Sequence, residues 1–375
     1  MTIKFIIINC VLIITLCGCF KKNTLPIPKN KYAYVMQKKI TNNKPSPYLI
    51  QIDLENLKIS NKIKVNKYYS YLTLLENGSL LLTHSRDGIS LKQKIDKFNV
   101  HTNKITSFIK TKAYYPSSVI PFKKEFFVLL DAHSNGDLIL EKFNKKGKFI
   151  SQNIVAKESM CIYGSIMLSK TQDSLWLFLK DFSNKINSIP RGISINLQTK
   201  KIDFLNNNFS KELGSINAVS FNKKEDKIYI SPLIKEKKKY NTEKINHNIY
   251  VYSYPKLELL NQIQTKSQPQ YLVLFPKFNR LYVKNSDHIS IIDTKTETVI
   301  KQFPILTKRI EKVASDKLMI WQHDSVNTQF TSTNTENKKN VIDKIIIFDV
   351  KTNTILKEFY GNFGPISRDL SLHWE

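Results

Sequence analysis

After residue 45 the chain alternates short apolar runs with polar turns, and one turn phrase keeps returning: an apolar residue followed by Asp, Asn or Ser. It reads Ile52-Asp53-Leu54, Phe98-Asn99-Val100, Phe143-Asn144-Lys145, Ile195-Asn196-Leu197, Tyr252-Ser253-Tyr254, Ile292-Asp293-Thr294 and Phe348-Asp349-Val350. Counted between the polar positions, the gaps are 46, 45, 52, 57, 40 and 56 residues. Repeats at that period mark propellers and solenoids.

The cleanest unit runs from Gln270 to Ile305. Apolar Tyr271–Phe275 is followed by a turn at Pro276–Asn279, and Leu281–Val283 by a loop at Asn285–His288. Ile289–Ile292, a turn from Asp293 and Val299–Phe303 complete it. Four strands of this length with tight turns make one propeller blade. Asp or Asn opens the last turn because its side chain accepts a hydrogen bond from the backbone N–H two residues on.

Seven outer hairpins centre on the seven phrases, but only six inner hairpins are continuous: Leu72–His84, Val119–Asp131, Ser165–Leu179, Asn217–Ser231, Tyr271–Lys284 and Glu311–Trp321. Halves of the seventh stand at the two ends of the body, Ile366–Trp374 and Tyr32–Gln37. The predicted fold is therefore all-β, a seven-bladed β-propeller closed by one C-terminal strand pairing with three N-terminal strands, which removes free sheet edges. A six- or eight-bladed ring and a row of β-sandwiches are the alternatives. The segments Leu281-Tyr282-Val283-Lys284-Asn285, Ile289 to Val299 and Ile346 to Ile355 resemble the YVTN or surface-layer type of β-propeller repeat. That resemblance implies a seven-bladed propeller of exported proteins and is nearly silent on activity.

The N-terminus carries an address. Lys4 precedes an apolar run from Phe5 to Leu16, too short for a permanent transmembrane helix and laid out like a secretory signal. Leu16-Cys17-Gly18-Cys19 resembles the lipobox of bacterial lipoproteins, which implies that Cys19 becomes the first mature residue and carries the lipid, palmitate included. Phe20, not Asp, follows, so the resemblance allows an outer membrane in an organism that has one. Residues 20–30 are polar, basic and proline-punctuated and read as a tether. The expected organisation is a signal peptide over 1–18, a tether over 19–30 and one propeller over 31–375, lipid-anchored and extracytoplasmic in the cell envelope.

Composition changes this picture little. Lys+Arg number 58 against 31 Asp+Glu, a formal charge of +27, but lysine is spread along the whole chain and solubilises without specifying a partner. After cleavage only Cys19 and Cys161 remain, so no internal disulfide is expected, and Cys161 reads as a small buried residue. Lys235–Tyr240 offers a single aromatic among basic residues, and no nucleic-acid partner is expected.

Candidate ligand-face residues lie where the fourth strand of one blade leads to the first of the next. They are Tyr68, Tyr69, Tyr114, Tyr115, Tyr163, Gln270, Arg309 and Arg368, aromatic, amide and cationic groups suited to a peptide or glycan; packing between blades is the other reading of the tyrosines. The segments Leu233–Asn248 and Gln322–Lys344 are the most irregular insertions on the same face. His84, His133 and His323 each end a second strand and His288 lies four to five residues beyond one; they read as exposed loop residues, and no metal site or cofactor is expected. The acids of the turn phrases are accounted for by turn formation, and no haem-attachment, zinc-helix or nucleophile-elbow motif occurs. No catalytic residue is assigned. The leading function is binding of a peptide, glycan or envelope partner protein on the loop face. A metal-dependent, lactonase-like propeller hydrolase and a scaffold subunit of an envelope assembly are the alternatives.

Overall fold

The computed structural model describes residues 31–41, 44–75, 77–84, 94–112, 116–132, 137–156, 161–171, 173–181, 192–205, 209, 213, 215–233, 247–323 and 343–368. These residues form 28 strands in seven four-stranded antiparallel blades, a seven-bladed propeller. Blade five shows the pattern: β20 (Pro269–Phe275) is innermost, followed by β21 (Arg280–Asn285), β22 (Ile289–Asp293) and the outer β23 (Thr298–Phe303). The other inner strands are β4 (Tyr69–Leu74), β8 (Pro116–Phe122), β12 (Cys161–Leu168), β16 (Ser215–Asn222), β24 (Thr307–Ala314) and β28 (Phe363–Arg368). All six continuous inner hairpins fall where the apolar runs predict them.

The seventh blade joins the chain ends. β28 pairs antiparallel with β1 (Tyr32–Thr41), which pairs with β2 (Lys44–Asp53), which pairs with β3 (Lys58–Lys64). The far edge of β28 meets β4 of blade one in parallel, Ser367 opposite Leu72. The C-terminal strand starts earlier than the apolar pattern suggested, at Phe363 instead of Ile366. Phe363 is buried against Val35 and Phe359, so packing draws in residues that read as connector.

The core sits between blades. Seven apolar clusters each join two neighbours, for instance Val273, Phe275 and Tyr282 of blade five with Ile310, Ile320 and Phe348 of blade six. Blade seven takes part in two, through Val35 and Ile50 towards blade six and through Tyr34 and Met36 towards blade one. Inner and middle strands are covered on both faces and read as near-continuous apolar runs; outer strands such as β23 are half open and mix lysine with isoleucine.

The turn phrases do the work expected of them. Asp53, Asn99, Asn144, Asn196, Asp293 and Asp349 each accept through Oδ1 from the N–H two residues on, at 2.6–3.0 Å. Ser253 differs, its Oγ accepting from Glu258 N at 3.0 Å. Four residues beyond six of the seven positions the backbone is left-handed: Leu57, Asn103, Lys200, Leu257, Glu297 and Asn353. In the Asn144 turn, Gly147 takes that role at φ +78°.

Candidate functional site

Every inner strand carries one extra residue near its start. The register shifts by one between Tyr69 and Tyr71, Pro116 and Ser118, Tyr163 and Ser165, Ile216 and Ala218, Pro269 and Tyr271, and Thr307 and Arg309. β28 shows the same irregularity between Phe363 and Ile366. A bulge re-aims the side chain that follows it, and seven bulges at one level make a ring of re-aimed positions at the connector end of the inner strands. Two bulges are closed by the second strand: Ser231 Oγ accepts from Ala218 N at 3.1 Å, and Thr83 Oγ1 donates to Tyr71 O at 3.4 Å.

The ring is unequal. Tyr71, Tyr271 and Arg309 occupy it in blades one, five and six, whereas Ser118, Ser165 and Ala218 occupy it in blades two, three and four. Tyr71 and Tyr271 are 43% and 38% exposed, unusual values for residues in strands whose next members, Leu72 and Leu272, are buried. Arg309 donates from Nε to Glu311 Oε1 at 2.6 Å, and its Nη2 lies 2.5 Å from the same oxygen. Burial acts to lower the Arg309 pKa; the Glu311 carboxylate, with Tyr271 and Tyr71 close by, outweighs it and holds the guanidinium above its ordinary value. Three blades thus converge on one cation.

Beside Tyr271, Lys284 at the end of β21 is only 6% exposed. Its Nζ donates to Gln270 Oε1 and stands 5.9 Å from the centre of the Tyr271 ring. Burial lowers its pKa to about 8, and among the described residues no carboxylate pairs with it. Gln270 is tied to blade four as well, its carbonyl accepting from Asn217 Nδ2 at 2.8 Å.

The sequence candidates divide accordingly. Gln270 and Arg309 stand in this cluster, on strands instead of the connectors to which they were assigned, because pairing begins one or two residues earlier. Tyr69 is 2% exposed, and its hydroxyl donates to Asp96 Oδ2 at 2.9 Å, with Lys67 3.8 Å from that oxygen; it packs between blades seven and one. Half-buried Tyr68 has its hydroxyl pKa pushed up to about 12 by burial and then by Asp343. Tyr163 and Arg368 lie in β12 and β28. Tyr114, Tyr115 and Cys19 lie outside the described residues, as do His133 and both irregular insertions apart from their ends. Tyr71, Tyr271, Lys284 and Glu311 carry no comparable mark in the sequence. The only available signal was a Tyr-Leu pair at the same place in two inner strands.

His288 is a correction: it is 9% exposed and not on an open loop. Nδ1 lies 2.7 Å from Asp287 Oδ1, and Nε2 lies 3.0 Å from Ser290 Oγ, which accepts from Asn285 Nδ2 at 2.9 Å. The order of groups is that of a Ser-His-Asp triad, but Ser290 is fully buried and has no path to a substrate. The chain of bonds instead fastens the loop to its own blade, and Ser267 Oγ adds the preceding connector by donating to Asp287 Oδ1. Ser286 N donates to Gln268 O at 3.1 Å, so in blade five the connector and the second-to-third-strand loop lie on one face.

No protein-family model matches the chain, and no curated protein sequence matches it. Solved structures do resemble it. A functionally unknown protein from Desulfotomaculum acetoxidans is 11% identical with a TM-score of 0.58, over 90% of this chain and 99% of that one. Apo AztD from Citrobacter koseri is 11% identical with a TM-score of 0.52, over 90% and 97%. Sqt1 from Chaetomium thermophilum, bound to the N-terminus of the ribosomal protein L10, is 11% identical with a TM-score of 0.50, over 88% of each chain. At such identities the likeness is one of fold.

Proposed function

We propose that the protein is a lipid-anchored, extracytoplasmic binding propeller of the cell envelope whose loop face holds a protein or peptide partner. The observation that carries the reading is the convergence of exposed Tyr71 and Tyr271 on Arg309 from three blades at the connector end of the channel. Tyrosine and arginine held rigidly on a scaffold are the residue types that dominate recognition surfaces. Sqt1, a propeller of similar fold, is bound to the N-terminus of another protein. Export and anchoring are proposed from the apolar run Phe5–Leu16 and the Leu16-Cys17-Gly18-Cys19 phrase, with 1–18 removed, 19–30 as tether and 31–375 as the propeller, a member of the YVTN-type repeat proteins.

The experiment has two arms. Mass spectrometry of the mature N-terminus is expected to find Cys19 acylated, with Cys19→Ala released from membranes; a membrane-bound, unlipidated Cys19→Ala protein contradicts anchoring. Crosslinked affinity capture from membranes is expected to recover a partner set that Tyr71→Ala/Tyr271→Ala loses. An unchanged set contradicts the loop-face assignment.

A further inference from the structure

Inside the channel mouth, charge and shape are both one-sided. Blades two, three and four place serine, serine and alanine at the post-bulge ring, and the opposite side holds Tyr71, Tyr271 and Arg309. The large side chains thus border one side of the ring and the small residues the other. On the bordered side Glu311 compensates Arg309 through one carboxylate oxygen, whereas the Lys284 ammonium faces an amide oxygen and an aromatic ring. Lys308, at the bulge itself, is compensated by Asp343 at 3.4 Å. Among the described residues the cluster therefore keeps an excess of positive charge, in a protein already at +27.

The aromatic groups narrow the choice of ligand. Lys284 stands over the ring of Tyr271, and the Arg309 guanidinium is close to both tyrosines. A sugar needs an open ring face for its C–H bonds. With the Lys284 ammonium over the Tyr271 ring and the Arg309 guanidinium near both tyrosine hydroxyls, cations and hydroxyls make up the contact surface, beside the Gln270 carbonyl that accepts from Asn217 Nδ2 and links blades four and five. Phenol hydroxyls, an amide oxygen and a guanidinium, beside an ammonium that pairs with no carboxylate among the described residues, match the amides and carboxylates of a peptide.

We propose that the channel mouth binds an acidic peptide segment of the partner, an aspartate or glutamate side chain reaching Arg309 and Lys284 between Tyr71 and Tyr271. The inference rests on the loop-face binding reading and gives the partner its chemistry. The ring of small residues on blades two to four is where the rest of the segment lies.

The test uses the full-length protein and fluorescein-labelled peptides in which four aspartates, or four asparagines, are flanked by glycines. Fluorescence anisotropy is expected to show the aspartate peptide binding at least tenfold tighter, with the difference shrinking as salt is raised. Tyr71→Ala and Tyr271→Ala, both at exposed positions, are each expected to weaken the aspartate peptide about fivefold to tenfold. Lys58→Gln and Lys62→Gln on the outer strand β3 are expected to leave it unchanged. Equal binding of the two peptides overturns the inference. So does tighter binding of a polyuronate oligosaccharide than of the aspartate peptide, or a loss on outer-strand neutralisation as large as that at the tyrosines. If the aspartate peptide fails while Tyr71→Ala/Tyr271→Ala still strips captured partners from membranes, this inference falls and the loop-face reading stands.

Discussion

The hydroxyl of Tyr282 in blade five donates to Oδ1 of Asn353 in the last turn of blade six, 2.7 Å away. Asn353 is the left-handed residue four places after Asp349, so the residue that lets the turn close also reaches back to the preceding blade. Glu297, in the same place in blade five, accepts from Lys227 Nζ and Asn261 Nδ2 of blade four at 2.6 Å each. Asn103 of blade one accepts from Asn61 Nδ2 of β3 at 3.2 Å. In these three turns the phrase is a tie between blades as well as a bend within one.

Asn353 separates the two roles. Asn353→Gly keeps the backbone conformation and leaves the buried Tyr282 hydroxyl without its acceptor, a cost of about 1–3 kcal/mol. Asn353→Ala adds a side chain without local hydrogen bonding at φ +57°, and is expected to cost about 1 kcal/mol more. Urea unfolding of both variants measures the difference; equal values show that the backbone conformation carries no penalty.

In the Asn144 turn the contact between blades is backbone against backbone. A Cβ on Gly147 would stand 2.3 Å from the carbonyl oxygen of Phe108 in blade one, at a φ of +78°. Gly147→Ala must therefore strain the turn and push two blades apart, at an expected cost of more than about 2 kcal/mol. A thermal midpoint within a degree of the parent would contradict the close approach.

Lys284 predicts a pH dependence. Its folded pKa, lowered by burial to about 8, lies below the value near 10.4 of an unfolded lysine. Between those values the unfolded state binds more protons, so this group makes the fold more stable as pH rises through the window, and below pH 8 its full burial cost is present. Lys284→Met is expected to be more stable than the parent by about 1–3 kcal/mol at pH 7, the gain vanishing towards pH 10.5. Denaturant midpoints of the two proteins across pH 7 to 10.5 check this; a constant gap removes the lysine as its source.

Ring closure is tested by removing β28. A chain ending at Asn362 loses Phe363 from its cluster with Val35 and bares the inner edges of β1 and β4. The expected result is loss of the cooperative thermal transition together with aggregation through the open edges. A truncated monomer with the parent's melting temperature would show that blade seven needs no C-terminal strand.

How much of this was legible follows from which residues carry local signals. Asp53, Asn196 and Asp293 announce their turns because the side chain bonds its own backbone, a chemistry confined to a few neighbours in sequence. Tyr271–Lys284 and the other hairpins are legible for the same reason. Glu297 and Leu57 carry no mark of a left-handed backbone, and Glu297 acquires its role only when Lys227 is brought alongside. The bulge before Tyr71, Tyr271 and Arg309 is likewise a property of a strand bent around a channel. An apolar strand with or without it reads alike, which is why the sequence pattern places Gln270 and Arg309 on connectors and does not mark Tyr71. Tyr69, picked for its ring, is consumed by Asp96.

The post-bulge ring at the channel mouth is the proposed seat of the partner. The most direct measurement is crosslinked capture from membranes with the parent protein and Tyr71→Ala/Tyr271→Ala, both shown to be folded by their thermal transitions. The expected result is a partner set present with the parent and lost with the double variant. The same set recovered with both proteins would contradict it.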